Sequence, residues 1–139
     1  MDQFRLDGKI AVITGSGQGI GRGIAWGLAD AGCDVVLNAR RANDLEETAR
    51  GVTERGQEAL VFASDIRDKS EELADLTMEK FGKVDIWVNN VGGSDEKNTR
   101  TLIDTPDGYI PQSIRAQSNY CISGSKSSGE ENGRWRVHY

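Results

Sequence analysis

The sequence predicts an α/β fold in which a doubly wound parallel sheet lies between two layers of helices. Short strand-like runs alternate with helix-like runs over residues 9–88, and short loops join them. The strand-like runs are mostly apolar, as in a sheet that is covered on both faces. Ligands of such sheets bind beyond the carboxyl ends of the strands. We therefore expect the functional residues in the loops that follow the strands.

Strands and helices are predicted in strict alternation. The strands cover residues 9–13, 34–38, 59–63 and 84–88, and the helices begin near Ile20, Ala42 and Lys69. Each helix has apolar residues at helical spacing, which are Ile20, Ile24, Ala25, Leu28 and Ala31 in the first, Leu45, Ala49 and Val52 in the second, and Leu73, Leu76 and Met78 in the third. The glycines placed to end these helices are Gly32, Gly56 and Gly82.

A glycine-rich turn follows the first predicted strand. Residues 14–21 read T-G-S-G-Q-G-I-G and lead into the first helix. Glycine at positions 15, 19 and 21 permits a tight turn and lets backbone N–H groups approach a pyrophosphate at the helix N-terminus. A flexible loop is the alternative interpretation, and the strand, turn and helix context favours phosphate binding.

Composition bounds the class of protein. The 139 residues are 37% hydrophobic and 28% charged, which suits one ordinary domain. A formal net charge of −5 argues against a nucleic-acid partner. The N-terminal residues lack the charged and then apolar pattern of a signal peptide, and no apolar run approaches the ~20 residues that span a bilayer. We therefore expect a cytoplasmic protein without a membrane partner. Cys33 and Cys121 are too few for a disulfide framework, and no metal site is predicted.

The character of the chain changes after residue 93. Residues 94–105 are polar and predicted to form a loop, and Pro106 and Asp107 open a helix that Thr105 can cap. The predicted helix has few apolar residues at helical spacing, and the serines around them reduce the surface that could pack. The last residues, 134–139, are predicted to begin a fifth strand. We therefore divide one domain into a nucleotide-binding half, residues 1–93, and an incomplete remainder, residues 94–139.

Three motifs make the chain resemble the short-chain dehydrogenase/reductase family. They are the T-G-x-x-x-G-x-G turn at 14–21, Asp65-Ile66 after the third strand, and Asn89-Asn90-Val91-Gly92 after the fourth, where the family usually has Ala as the third residue. With the start L-D-G-K at 6–9, the resemblance covers roughly residues 5–93. It implies a Rossmann-type fold, incomplete on its C-terminal side here. It also implies hydride transfer between a nicotinamide and a small carbonyl or alcohol substrate.

The resemblance also implies which residues bind the cofactor. They are Gly15, Ser16, Gln18, Gly19, Ile20, Gly21, Asn38, Arg40, Asp65, Ile66, Asn89, Asn90 and Gly92. Simpler roles stay open for some of them. Asp65 could cap the helix that begins near Lys69, with or without a position near the adenine. Asn89 and Asn90 could be turn formers or could shape the floor of the cofactor site.

The choice between NAD and NADP depends on the end of the second strand. NAD-specific folds place an acid about 20 residues after the glycine turn to bind the ribose 2′-hydroxyl, whereas a nearby Arg accommodates a 2′-phosphate. Ala39 stands at the position of that acid and is followed by Arg40 and Arg41. The sequence therefore predicts NADP(H) rather than NAD, with a solvated arginine pair as the alternative.

The family's catalytic Ser and Tyr-x-x-x-Lys are not found, so no catalytic residue is assigned. Tyr109 is followed four residues later by Ser113, Tyr120 by Gly124, and Tyr139 is the last residue. We expect a truncated or C-terminally altered family member. The alternatives are a nucleotide-binding fragment without catalysis and an unstable remnant that binds nothing. Family members usually form homo-oligomers through the region that begins near Asp107, and its polarity here argues against that assembly.

Overall fold

The computed structural model describes residues 2–91. Four strands are present in this range: β1 Ile10–Thr14, β2 Asp34–Ala39, β3 Ala59–Ala63 and β4 Ile86–Val88. The α-helices are α1 Gly19–Asp30, α2 Ala42–Thr53 and α3 Ser70–Phe81, and short 3-10 helices cover Asp2–Phe4 and Ile66–Asp68. The elements predicted for residues 9–88 are confirmed to within two residues at each end. The loop, helix and fifth strand predicted for residues 94–139 lie outside the described residues.

The strands form a parallel sheet in the order β3-β2-β1-β4. The chain therefore runs outward from β1 through β2 to β3 and then crosses to the other side of β1 to form β4. The strand order reverses at β1, and ligands of open parallel sheets bind beyond the carboxyl ends of the strands at such a reversal. Gly15, directly after β1, and Asn90, two residues after β4, lie at this reversal point.

Helices cover both faces of the sheet, which confirms the doubly wound, three-layer α/β/α fold of Rossmann type. On one face α1 and α2 pack on alternate strand residues, and the buried residues are Ala11, Ile13, Ala25, Ala29, Cys33, Val35, Leu37, Leu45 and Val52. On the other face the buried residues are Ile10, Val12, Val36, Ile66 and Leu73, the last from α3. Because successive residues of a strand point to opposite faces and both faces are covered, residues 10–13 of β1 are all apolar.

The predicted apolar stripe of α2 is confirmed but incomplete, and that of α3 is partly wrong. Thr48 and Thr77 are fully buried, whereas Leu76 and Met78 are only partly buried. The hydroxyl of Thr77 donates to the carbonyl oxygen of Leu73 at 2.8 Å, so the threonine brings its own partner into the core. A search for apolar side chains alone therefore overlooks these two core positions.

The stripe predicted for α1 also needs correction. Gly21, Ala25 and Ala29 are the buried residues of this helix, and Ile20 is 76% exposed. Ile20 lies in the first turn of α1 and belongs to neither cluster of buried residues. Gly82 ends α3 as predicted, with a φ of 74° and its N–H bonded to the carbonyl oxygen of Met78.

No helix in the described part of the chain combines the length and the apolar character that a membrane span requires.

Candidate nucleotide-binding site

The glycine turn between β1 and α1 has the backbone geometry that its sequence predicts. Gly15 has a φ of 65° and Gly19 a φ of 56°, which are left-handed values that other residues rarely adopt. A Cβ atom built on Gly21 would lie 2.1 Å from the carbonyl oxygen of Gly15. The first turn of α1 therefore lies directly against the loop that follows β1.

The N-terminus of α1 has no capping side chain. Gln18 is the N-cap residue, and it makes no side-chain hydrogen bond to the helix. The first turn contains no acidic residue, so no carboxylate offsets the positive end of the helix dipole. Gln18, Gly19 and Ile20 are exposed at this point. This helix start is therefore available to an anion such as a phosphate.

Asn90 fastens the glycine turn to the end of β4. Its side-chain N–H donates to the carbonyl oxygen of Gly15 at 3.2 Å, and its backbone N–H donates to Thr14 Oγ1 at 3.1 Å. Thr14 Oγ1 in turn donates to the carbonyl oxygen of Val88 at 3.3 Å. Asn89 is exposed and accepts a hydrogen bond from Trp87 Nε1 at 3.0 Å. The two asparagines thus have different roles, and neither has a left-handed backbone.

Ser16 and Asn38 hold the glycine turn on the end of β2. The backbone N–H of Asn38 donates to Ser16 Oγ at 3.0 Å, and the backbone N–H of Ser16 donates to the carbonyl oxygen of Asn38 at 3.0 Å. The side-chain amide of Asn38 donates to the carbonyl oxygen of Phe62 at 2.9 Å. Ser16 is 0% and Asn38 1% exposed. Their side chains therefore serve the scaffold of the site.

The loop after β2 contains two arginines in different situations. Ala39 is the last strand residue, Arg40 is exposed, and Arg41 forms an ion pair with Asp44 at 2.9 Å. Within residues 2–91, Arg40 forms no ion pair at short range. Its charge is close enough to Asp65 to favour the ionised form of that carboxyl group and so to lower its pKa. Arg40 is therefore the cation of this loop with a head group available to a ligand.

Asp65 lies after β3 at the same end of the sheet. Hydrogen bonds from the side chain and the backbone of Arg67 are the main causes that lower the pKa of Asp65 to about 2, and the charge of Arg40 adds to them. Asp65 caps the short 3-10 helix Ile66–Asp68, because its carboxylate accepts the backbone N–H of Arg67 at 3.1 Å. The prediction that it caps the helix beginning near Lys69 is wrong, since Lys69 itself is the N-cap of α3. Ile66 is 2% exposed and packs in the core.

Comparison with known proteins decides the family. A family model described as short chain dehydrogenase matches residues 9–115. The chain belongs to the short chain dehydrogenase family. It is 43% identical over 109 residues, 77% of its length, to an uncharacterized oxidoreductase of Mycobacterium tuberculosis, and it covers 41% of that protein. The chain thus spans about two fifths of the length of the curated relatives it matches.

Two solved structures with a bound nicotinamide nucleotide share the fold. L-Sorbose reductase from Gluconobacter frateurii, complexed with NADPH and L-sorbose, matches with a TM-score of 0.70 and 32% identity, over 86% of this chain and 47% of that one. Carveol dehydrogenase from Mycobacterium avium, in complex with NAD, matches with a TM-score of 0.67 and 30% identity, over 79% of this chain and 44% of that one. Similar chains of this family therefore bind either nucleotide.

The residues of the glycine turn have a geometry that suits the pyrophosphate of a dinucleotide such as the two neighbours contain. A side chain at Gly21 would fill the space against Gly15, and the start of α1 keeps its N–H groups free of a side-chain cap. Gly92, the last of the predicted cofactor residues, lies outside the described residues. So do the tyrosines at 109, 120 and 139, which bear on the catalytic prediction.

Sequence reasoning missed two threonines that shape the site of this short chain dehydrogenase. Thr14 joins β1 to β4, and Thr48 Oγ1 on α2 donates to the carbonyl oxygen of Ser16 at 2.9 Å. The available signal for Thr48 is its spacing, because it falls between Leu45 and Val52 on the buried face of α2. The signal for Thr14 is a polar residue at the end of an apolar strand, immediately before the first glycine.

Proposed function

We propose that residues 1–93 form the nucleotide-binding half of an NADP(H)-dependent oxidoreductase that acts on a small carbonyl or alcohol substrate. The observation that carries this proposal is the glycine turn at the carboxyl end of β1, beside the end of β4, which leads into a helix start without a side-chain cap. Membership of the short chain dehydrogenase family supports the reaction class. The two nucleotide-bound neighbours, a reductase and a dehydrogenase, act on small organic substrates by name.

Each part of the site has a role in this proposal. The backbone of residues 15–21 binds the pyrophosphate at the positive end of α1. Asn90 holds the turn in place from β4, and Asp65 and Ile66 lie at the strand end where the adenine is expected. When bound, the nicotinamide supplies the hydride that the substrate carbon gains or loses. The protein's own contribution from these residues is binding and orientation.

The preference for NADP(H) rests on Ala39 and Arg40. Ala39 offers no acceptor to a ribose 2′-hydroxyl, and Arg40 is exposed beside it. Arg41 forms an ion pair with Asp44, so it is less available to a phosphate than Arg40. Asp65 forms an ion pair with Arg67, so its charge competes less with a phosphate for Arg40. A guanidinium suits a phosphate because it can form paired, charge-assisted hydrogen bonds. Arg40 therefore favours the nucleotide that carries the additional phosphate.

Titration of the full chain with NADPH and with NADH tests the proposal. We expect tighter binding of NADPH, and we expect Arg40→Ala to lose about 1–3 kcal/mol of that preference, as for a charge-assisted contact. The matched control is Arg41→Ala, which removes an adjacent arginine that is already paired with Asp44. That variant should keep most of the preference. Equal affinities in the unmodified chain would contradict the assignment of NADP(H).

A second candidate function is nucleotide binding without catalysis by this chain. The observation that favours it is that no tyrosine of the sequence is followed by a lysine four residues later. The two candidates share the glycine turn and differ only in turnover. An activity assay on a chain already known to bind nucleotide therefore separates them.

A further inference from the structure

Arg22 joins three segments around the glycine turn. It lies in the second turn of α1, and its side chain is only 18% exposed. Its Nη2 atom donates to the carbonyl oxygen of Gly17 at 2.6 Å and to that of Asp44 at 3.3 Å. Its Nε atom donates to Thr48 Oγ1 at 3.1 Å. One guanidinium thus bonds the glycine turn, the first turn of α2 and the middle of α2.

The surroundings of Arg22 fix its orientation. Its guanidinium lies 5.7 Å from the centroid of the Trp26 ring, and Glu47 on α2 forms an ion pair with it at 3.2 Å. The Trp26 ring is itself held, because its Nε1 atom donates to the carbonyl oxygen of Thr48 at 3.0 Å. A Cβ atom on Gly51 would lie 2.3 Å from the same nitrogen, so α2 packs closely on the ring. Arg22 is therefore directed at the protein and not at a ligand.

Two of the three segments that Arg22 joins lie in or beside the regions that the proposed function assigns to different parts of the nucleotide. Gly17 belongs to the turn that binds the pyrophosphate. Arg22 donates to the backbone carbonyl oxygen of Asp44. The carboxylate of Asp44 forms an ion pair with Arg41, the residue next to Arg40. These segments also touch, since a Cβ on Gly17 would lie 3.0 Å from the Cβ of Asp44 and 3.1 Å from that of Ala39.

We propose that Arg22 is a positioning residue for nucleotide selection, and this inference rests on the proposed function. Its hydrogen bonds to Gly17 and Asp44 set the distance between the glycine turn and residues 39–41. Once the pyrophosphate is bound, that distance decides whether the 2′-phosphate of the same nucleotide reaches Arg40. Small errors in such positioning weaken an interaction strongly. Arg22 thus acts on specificity through other residues, without touching the nucleotide.

The ratio of the NADPH and NADH dissociation constants tests this role. Arg22→Met keeps an unbranched apolar stem beside Trp26 and removes every hydrogen bond of the guanidinium. We expect the preference for NADPH to fall by about fivefold to tenfold, the effect of losing one charged hydrogen bond. A general loss of stability lowers the apparent affinity for both nucleotides alike and leaves the ratio unchanged. The ratio therefore separates positioning from a purely structural role.

Two further variants complete the experiment. Arg55→Met is the matched control, because Arg55 also lies over the Trp26 ring, at 5.1 Å, but bonds Gly51 and Asp30 and not the glycine turn. It should keep the ratio of the unmodified chain. Arg22→Lys keeps the charge, but an ammonium lacks the planar fork that spans the partners of Arg22, so we expect an intermediate ratio. If Arg22→Met does not fold, Arg22→Lys provides the test.

The outcomes are distinguishable. An unchanged ratio in the folded Arg22 variants overturns the inference and leaves the proposed function intact. An equal fall of the ratio in Arg55→Met also overturns it, because the effect then comes from packing on Trp26. An unmodified chain that binds neither nucleotide, or both equally, overturns the inference together with the proposed NADP(H) preference.

Discussion

Gly21 lies against Gly15 with no space for a side chain between them. A Cβ atom on Gly21 would be 2.1 Å from the carbonyl oxygen of Gly15 and 2.6 Å from the side-chain nitrogen of Asn90. That nitrogen also donates to the same carbonyl oxygen. The carbonyl oxygen of Gly15 therefore contacts both the first turn of α1 and the side chain of Asn90 after β4. The turn can form only if residue 21 is glycine.

Gly21→Ala should destabilise the protein and abolish nucleotide binding. The added methyl group displaces backbone, and overpacking of this kind costs about 1–3 kcal/mol or more. Gly23→Ala is the matched control, because no described atom lies within 4 Å of a Cβ there and its φ is not positive. It should stabilise α1 by about 0.5–1 kcal/mol, the usual gain of alanine over glycine in a helix. Urea unfolding of both variants measures the difference, and similar stabilities would contradict the close contact.

Gly19→Val should lose nucleotide binding while the domain stays folded. No described atom lies within 4 Å of a Cβ on Gly19, so the substitution meets open space in the protein itself. Its cost has two sources, the positive φ of 56° and a side chain in the space that the phosphate needs. A strained backbone position costs roughly 1–3 kcal/mol. Circular dichroism and nucleotide titration of the same sample measure fold and binding together.

Gly19→Asn distinguishes these two sources. Asparagine tolerates a left-handed backbone better than valine, so this variant relieves the strain and keeps a side chain at the position. Loss of binding in a well-folded Gly19→Asn protein would assign the effect to the blocked phosphate. Unchanged affinity in both variants would mean that the phosphate binds elsewhere.

The positions of the elements could be predicted because local signals agree with the tertiary structure. The apolar run before Gly15, the helical spacing after it and the stop at Gly82 each follow from short-range chemistry. The doubly wound sheet also follows, since the resemblance over residues 5–93 implies a Rossmann-type fold. The exposure of Ile20 could not be predicted from its helical spacing, because periodicity does not report which positions the rest of the chain covers.

The details of the site could not be predicted because they depend on partners far apart in the chain. The roles of Thr14 and Asn90 follow from a bond across 76 residues, and that of Arg22 from contacts with α2. The alternative role of Asp65 as the cap of α3 is wrong because a single 3-10 turn lies between them, and such turns carry little sequence signal. The glycine turn was predictable because its glycines, the strand before it and the helix after it are all adjacent in the sequence.

Asp65→Asn should change stability in a pH-dependent way. Arg67 lowers the pKa of Asp65 to about 2 in the folded protein, from 3.8 in a model compound. The stabilisation is therefore fully present above about pH 4 and is lost as the pH falls through about 2. Because the side chain is 39% exposed, we expect the effect to stay below about 1 kcal/mol at pH 7. Asparagine can still cap the 3-10 helix, so the difference in unfolding free energy between the two proteins reports the charge of Asp65. A difference that does not change with pH would contradict this origin.

The full chain should bind NADPH and yet show no NADPH oxidation above background with ketones, aldehydes or oxoacyl thioesters. Reduction of a carbonyl needs a proton donor at the substrate oxygen, which in the family is a tyrosine with a lysine four residues later. Tyr109, Tyr120 and Tyr139 all lack that lysine. General acid catalysis contributes about 10²–10⁴ in rate, and the absent serine and lysine add to the deficit. Tyr120→Phe is the control: turnover by the purified unmodified chain that this variant abolishes would mean that a different set of residues performs the chemistry.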